Sequence, residues 1–454
     1  MAPSWDNPFT ALVDRVLESA DPFQAAALHP WLVGSQRVVC EQHIFAQRRH
    51  PRLFAQAAYT PASLLQRLAQ EDESATLDKL VKNPATPAPV LQQLARDRGN
   101  ESRLIAIAAH PQASAALLEI LGNTESSALR QALCHNPNTG LAQLRRLLAG
   151  ATLGERKGMA KNPYSDAALI ADLWISDERY LRAEIAAHPS CPPDLLVKAM
   201  ASNDPLLRRK AAENPRLSMA QRMPLLTDVE AQVRAAALRH LGANDAPLAD
   251  DPARRVRREQ ARKNELDQRL IEKLSTDVDN WVRRWIARNP ATPERVLRTL
   301  ATDGEAEVRR GVARNPVTPL ALRRQLAADP SPWVRAGIAY RDDLDPGIID
   351  DLSVDDSIDV LAGLGRNSLL PVGLLTQIAR HGNRDVRRAV ILNRHAPLAV
   401  LLTLLEDPYA HNRTLLCRHP ALGDEQLWQL IDDPEPQVRF TAVQVLASRN
   451  VVGD

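Results

Sequence analysis

Apolar residues recur along this chain in short clusters set apart by proline-marked polar turns, and the clusters return about every 26 residues. The clearest copies are N-P-A-T-P-E-R-V-L-R-T-L-A-T-D (289–303) and N-P-V-T-P-L-A-L-R-R-Q-L-A-A-D (315–329). In the first, Val296, Leu297 and Leu300 fall on one face of a helix of about ten residues. Thr292 and Thr318 read as its N-caps, with Pro293 and Pro319 at the first helical position, where a missing N–H costs nothing. A polar turn follows, then a second helix of the type E-V-R-R-G-V-A-R. It stops at N-P, because a residue before proline is pushed out of the α region. Helices this short are not stable alone and must stack on their neighbours.

A convenient origin is the arginine six residues before the asparagine of N-P. It recurs at 130, 156, 182, 208, 234, 258, 283, 309, 335, 387, 413 and 439, with leucine at 77, 104 and 361. That makes 15 units. Six residues on, asparagine or histidine fills 13 of the 15, from Asn83 to His419, with Asn264 in the unit of Arg258. The predicted fold is therefore all-α: a solenoid of about 15 two-helix repeats, each pair α/α or α/3-10, without a sheet. Residues 1–60 read as a degenerate capping segment. Residues 61–240 read as an N-terminal array, 241–253 as an irregular loop or hinge, and 254–454 as a C-terminal array.

The pattern resembles the bacterial variant leucine-rich repeat, the V-R-x-x-V-A-x-N-P type, and more loosely HEAT repeats. The resemblance covers roughly residues 60–445 and implies a right-handed superhelix without strands. A described member of that family has an N-terminal iron–sulfur cluster on grouped cysteines. Cys40 is the only cysteine here before residue 131, so the cluster does not carry over.

Helical geometry sorts the repeat. Positions −1, +3 and +4 from the arginine form the apolar face, as in Val282, Ile286 and Ala287, and in Val308, Val312 and Ala313. The arginine lies within that arc, and aspartate stands six residues earlier in seven units. A partly buried arginine keeps a partner, so each is expected to pair with an aspartate or with turn carbonyls, within or between repeats. The Asn/His slot is expected to hydrogen-bond backbone at the turn. Cys134 and Cys417 fall at +4 and read as small buried hydrophobes.

Charge changes the picture. The chain as a whole is close to neutral, at +2. Yet positions +1, +2 and +5, opposite the core, hold 15 basic and 4 acidic residues. By analogy with HEAT-like stacks, second helices line the concave side, and a basic concave face attracts polyanions or acidic partners. Aromatics sharpen the location. Trp281 and Trp285 sit four apart on this outward face, Trp333 repeats the slot of Trp281, and Tyr340 lies at +5 of the same unit. Gly311, Gly337 and Gly363 follow in the slot of Trp285, suggesting a shallow channel rimmed by Arg284, Arg288, Arg310 and Arg314. Lys263 and Arg388 extend the candidate site along the stripe. Arginine interleaved with exposed aromatics suits base stacking and phosphate contact. The competing reading packs the tryptophans on the 241–253 loop.

There is no HExxH, GxSxG or P-loop. The expected function is a non-enzymatic scaffold binding nucleic acid or an acidic protein, with no cofactor, no metal and no membrane partner. Two alternatives stand beside it. One is a HEAT-like DNA glycosylase for alkylated bases, with Glu259 as its candidate acid; the other is a protein-assembly scaffold. Scattered cysteines, and the lack of a signal peptide or an apolar run of about 18 residues, fit a cytoplasmic protein.

Overall fold

The computed structural model describes residues 8–176, 178–246 and 248–451. Among them are 33 α-helices, three 3-10 segments and no strand. The described residues fall into two compact units divided between Ala237 and Leu238. In each, successive helix pairs stack, and second helices pack on one another more extensively than first helices do. The −1, +3 and +4 side chains form the core as expected: Val282, Ile286 and Ala287 are fully buried, as are Val308, Val312 and Ala313.

Three local devices join the repeats, and one corrects the sequence reading. The threonine of N-P-x-T-P does not cap the helix that follows. The N-cap residues are Pro293 and Pro319, ahead of helices Glu294–Leu300 and Leu320–Ala327. Thr292 and Thr318 are buried, and their hydroxyls donate backwards to the carbonyls of Ile286 and Val312, both at 2.6 Å. Each adds a second donor to a carbonyl at the end of the preceding second helix, which also accepts from the amide of Asn289 or Asn315. The first helix is also shorter than expected, seven residues in Glu294–Leu300.

The asparagine ladder is the second device. Asn315 Nδ2 donates to the carbonyls of Ala287 and Asn289 in the preceding repeat, both at 2.8 Å, while its Oδ1 accepts from the Val317 amide. Histidine does the same work. His188 Nε2 donates to Asn162 O, and Nδ1 accepts from the Ser190 amide, so the ring is neutral with its proton on Nε2. Burial lowers the pKa of His188, which favours that form. Arginine fills the slot at 341, where it donates to Ala313 O and Asn315 O, and Arg222, from the first helix Met219–Arg222, serves the corresponding carbonyls of its own repeat, Ala212 O and Asn214 O.

The third device is the arginine–aspartate clasp. Arg208, Arg257, Arg283, Arg309, Arg335, Arg387 and Arg413 each place Nε and Nη2 on a carboxylate 20 residues ahead. The acceptors are the seven aspartates singled out in the sequence. The pairing runs between repeats, and the remaining nitrogen binds the carbonyl of the residue six back, as Arg283 does at Asp277.

This clasp moves the origin of one repeat. Arg257, not Arg258, holds Asp277, so Lys263 and not Asn264 fills the ladder slot. Lys263 Nζ accordingly donates to Leu238 O at 2.9 Å and to Leu241 O, and Lys263 O accepts from Asn289. The 241–253 stretch contains no helix among its described residues. Gln260, fully buried, pins it by donating to Ala243 O at 2.6 Å.

Candidate functional site

The candidate residues lie on successive second helices of the unit that begins at Leu238: Arg254–Ala261, Asn280–Arg288, Ala306–Ala313 and Pro332–Ala339. One packing rule organises them. The +5 side chain of each repeat lies over the +2 residue of the next. A Cβ on Gly311 would meet Arg288 Cγ at 3.4 Å, one on Gly337 would meet Arg314 Cγ at 3.5 Å, and one on Gly363 would meet Tyr340 Cδ2 at 3.2 Å. Where the +2 residue is Trp285, the corresponding Arg262 stacks over it at 5.2 Å. The glycines also admit the preceding backbone, since a Cβ on Gly311 would come within 3.1 Å of Arg284 O. The expected glycine channel is thus not an open trough. Arginine stems and the Tyr340 ring occupy it, and the charged heads reach the surface above.

A second rule governs the aromatics at −2. Each packs on the +1 cation of the preceding repeat: Trp281 on Arg258 at 5.9 Å and Trp333 on Arg310 at 5.3 Å. Trp281 also takes Arg284 at 4.7 Å, and Trp285 takes Arg288 at 5.8 Å. These tryptophans therefore interleave with arginines of the second-helix layer. Trp281 remains 44% exposed and Trp333 52%, so each ring keeps a free edge or face.

The cations around Gly311 and Gly337 are poorly compensated. Arg284 has Glu307 at 3.6 Å. Arg288, Arg310 and Arg314 have no carboxylate partner within the described residues, and Arg310 Nε is buried with no hydrogen-bond acceptor. Burial, followed by repulsion from Arg310 and Arg288, pulls the Arg314 pKa below its usual value. Like charges held this close are costly unless an anion joins them.

Other candidates sit differently. Lys263 is removed from the binding set: it is the structural ladder residue described above, and burial lowers its pKa. Arg388 belongs to a separate group, paired with Asp385 at 2.9 Å, Asn412 at 3.2 Å and the Tyr409 ring at 5.6 Å. Glu259 accepts from Arg239 at 3.0 Å, lies 3.6 Å from Arg262, and is only 14% exposed. Both contacts fall on Oε1, so the carboxylate is held between two guanidiniums. Among the described residues no group of three His, Cys, Asp or Glu could hold a metal ion, and no helix is long and apolar enough to cross a membrane.

Sequence reasoning missed Arg258 and Arg262, which the corrected register places at +1 and +5. It also passed over Tyr180 in the Asn7–Ala237 unit. Tyr180 sits at −2 and packs on Lys157 at 5.8 Å, the same pairing as Arg310 with Trp333. The signal was available as an aromatic 23 residues after a cation.

No protein-family model and no curated protein matches the chain. Among solved structures it is similar to one described as "a leucine-rich repeat variant with a novel repetitive protein structural motif". The two are 23% identical, over 48% of this chain and 87% of that one, with a TM-score of 0.36. It is also similar to the crystal structure of an engineered protein, at 14% identity over 95% of this chain and 99% of that one, with a TM-score of 0.20.

Proposed function

We propose that this protein is a non-enzymatic repeat scaffold of the variant leucine-rich repeat type, cytoplasmic, and that it binds nucleic acid through the second-helix face around Arg284, Arg288, Arg310 and Arg314. The observation that carries this reading is the imbalance in that cluster. Three of four neighbouring guanidiniums lack an acid, whereas the ladder arginines of the same unit are clasped bidentately. A protein that used these arginines for its own stability would have supplied carboxylates, as it did for Arg283 and Arg309 on the same helices. Phosphates supply the missing charge, and Trp281, Trp333 and Tyr340 offer faces on which bases stack.

Fluorescence anisotropy with single- and double-stranded DNA and RNA, across a salt series, tests the reading. Binding at micromolar or lower concentration in low salt is expected, with a steep negative dependence on salt. Failure to bind any of these polyanions at low salt overturns it. Loss of binding in Arg288→Glu/Arg310→Glu, with the melting curve intact, locates the site.

A further inference from the structure

Two cavities flank Tyr340, of about 340 and 170 Å³. Tyr340, Arg341 and Asp342 line both. The larger is completed by Arg314, Gly337, Pro316 and Asp343. Most of its polar groups are already engaged. Arg341 donates to Ala313 O, Asn315 O and both Asp343 oxygens, and Asp343 also takes Arg323 at 2.9 Å. Two charged groups stay uncommitted: Arg314, and Asp342, which is exposed and has no hydrogen bond or ion pair within the described residues. The Tyr340 ring, 37% exposed, stands beside them. Gly337 keeps the floor low, since a Cβ there would touch Arg310 Cγ at 3.3 Å and Arg314 Cγ at 3.5 Å.

An aromatic face, a guanidinium and a free carboxylate in one cavity of nucleobase size fit one base better than the others. Guanine carries two adjacent acceptors, O6 and N7, which match an arginine fork. Its Watson–Crick edge, on the other side of O6, carries two adjacent donors, N1–H and N2–H, which match both oxygens of a carboxylate. Adenine and cytosine present a carboxylate with a single amino group, and thymine with a single ring N–H. We propose that the larger cavity beside Tyr340 is a guanine subsite, with Arg314 on the O6/N7 edge, Asp342 on the N1–H/N2–H edge and Tyr340 stacked on the base. It rests on the nucleic-acid reading above and adds a base preference to it. The phosphates flanking the base run toward Arg310 and Arg288, whose charges act on Arg314.

The test uses the full chain and fluorescent oligo(dT) strands of about 12 nucleotides, each with one central dG, dA, dC, dT or deoxyinosine. The dG strand is expected to bind ~10-fold tighter than the dA, dC or dT strands, with deoxyinosine, which keeps O6, N7 and N1–H but lacks the N2 amine, in between. Asp342→Asn, at an exposed unpaired position, leaves folding intact; it shrinks the dG preference to about that of deoxyinosine and leaves oligo(dT) binding equal or stronger. Tyr340→Ala weakens the dG strand most. Equal affinity for all five strands overturns the guanine subsite while the nucleic-acid face stands. Absence of binding to every strand overturns both. A dG preference undiminished in Asp342→Asn overturns the assignment of that carboxylate.

Discussion

Arg283 grips both carboxylate oxygens of Asp303 in the next repeat, at 2.6 and 2.9 Å, while its third nitrogen donates to Asp277 O at 2.7 Å. One side chain thereby ties its own inter-helix turn to the following one. The pair is mostly shielded, with side-chain exposures of 17% and 9%. Removing one partner of such a pair strands a desolvated charge, whereas replacing both with apolar groups does not. Asp303→Ala is therefore expected to lower unfolding stability by about 2–3 kcal/mol. Arg283→Met/Asp303→Leu should recover most of the loss. Urea unfolding followed by circular dichroism reads both; a loss below about 0.5 kcal/mol in Asp303→Ala would reduce the clasp to an ordinary surface pair.

Buried histidines and the arginine–aspartate clasp make stability depend on pH in two steps. His188 must stay neutral, because its Nδ1 accepts from the Ser190 amide. Burial lowers its pKa from the ordinary 6.5, and burial also lowers those of His29 and His50. The native state then binds fewer protons than the unfolded chain. This contribution is whole above about pH 6.5 and is lost as the pH falls from there through the folded-state values. Asp228 is held below its ordinary 3.8, chiefly by Arg208. Asp303 is too: burial opposes its ionisation, but Arg283 and the Glu305 amide outweigh that. Their contribution persists above about pH 4 and disappears on further acidification. Urea midpoints measured from pH 7.5 to 3 should fall twice. His188→Asn, which keeps both ladder hydrogen bonds, should shrink the first fall by about a third, leaving His29 and His50. An unchanged first fall would remove His188 from the account.

The repeat, its core positions and the partners of its arginines were legible because each is a periodic constraint repeated over many units. Apart from the local bonding of Thr292 and Thr318, what escaped had one of two causes. The register between Arg234 and Arg283 is ambiguous on paper, since Arg257 stands beside Arg258 and Lys263 beside Asn264. Only the long-range clasp of Arg257 on Asp277 decides it, and that decision turns Lys263 from a ligand-binding candidate into a backbone donor. The second cause is packing between repeats, which helical periodicity does not report. A wheel places Gly311 on the outward face. Its neighbour in the stack is nevertheless Ala287, whose Cβ would lie 2.7 Å from any side chain placed there. The same limit hid the stacking of −2 aromatics on +1 cations, a relation across 23 residues that no single helix displays.

That close approach makes Gly311 a sensitive position. A Cβ at Gly311 would sit 2.7 Å from Ala287 Cβ and 3.1 Å from Arg284 O, whereas one at Gly304 would meet nothing within 4 Å. Gly311→Ala gains helix propensity but forces the Asn280–Arg288 and Ala306–Ala313 helices apart. Overpacking of this kind costs about 1–3 kcal/mol. Gly311→Leu should lie at or beyond that range, and Gly304→Ala should be close to neutral. Melting temperatures of the three variants make the comparison. Equal stability of Gly311→Ala and the wild type would mean that the second helices are further apart than described.

Buried cysteines give a chemical probe of the same stack. Cys40, Cys134, Cys191 and Cys417 are free and buried, and burial raises each thiol to about 12. Their thiolates are scarce and shielded at neutral pH. An aromatic disulfide reagent at pH 8 should label none in the native protein within minutes and all four in urea. Fast labelling of Cys134 or Cys417 in the folded state would contradict their place in the core.

Arg314 and Lys263 separate binding from folding. Arg314 has no carboxylate partner within the described residues and is repelled by Arg310 and Arg288. Removing its charge relieves that repulsion, so Arg314→Gln should leave the melting temperature unchanged or raised. The same change should weaken nucleic-acid binding and reduce the slope of log K against log salt by about one. Lys263 has the opposite character, because its ammonium satisfies Leu238 O and Leu241 O. Lys263→Met strands Leu241 O and leaves Leu238 O with the Leu241 amide alone, and should lower stability by about 1–3 kcal/mol. At temperatures where that variant is folded, its salt slope should match the wild type. A charge whose loss stabilises the fold and weakens the ligand is held for the ligand; a charge whose loss does only the reverse is held for the fold. If Arg314→Gln melted lower and bound normally, the cluster around Gly337 would be structural, and the binding face would lie elsewhere on the stack.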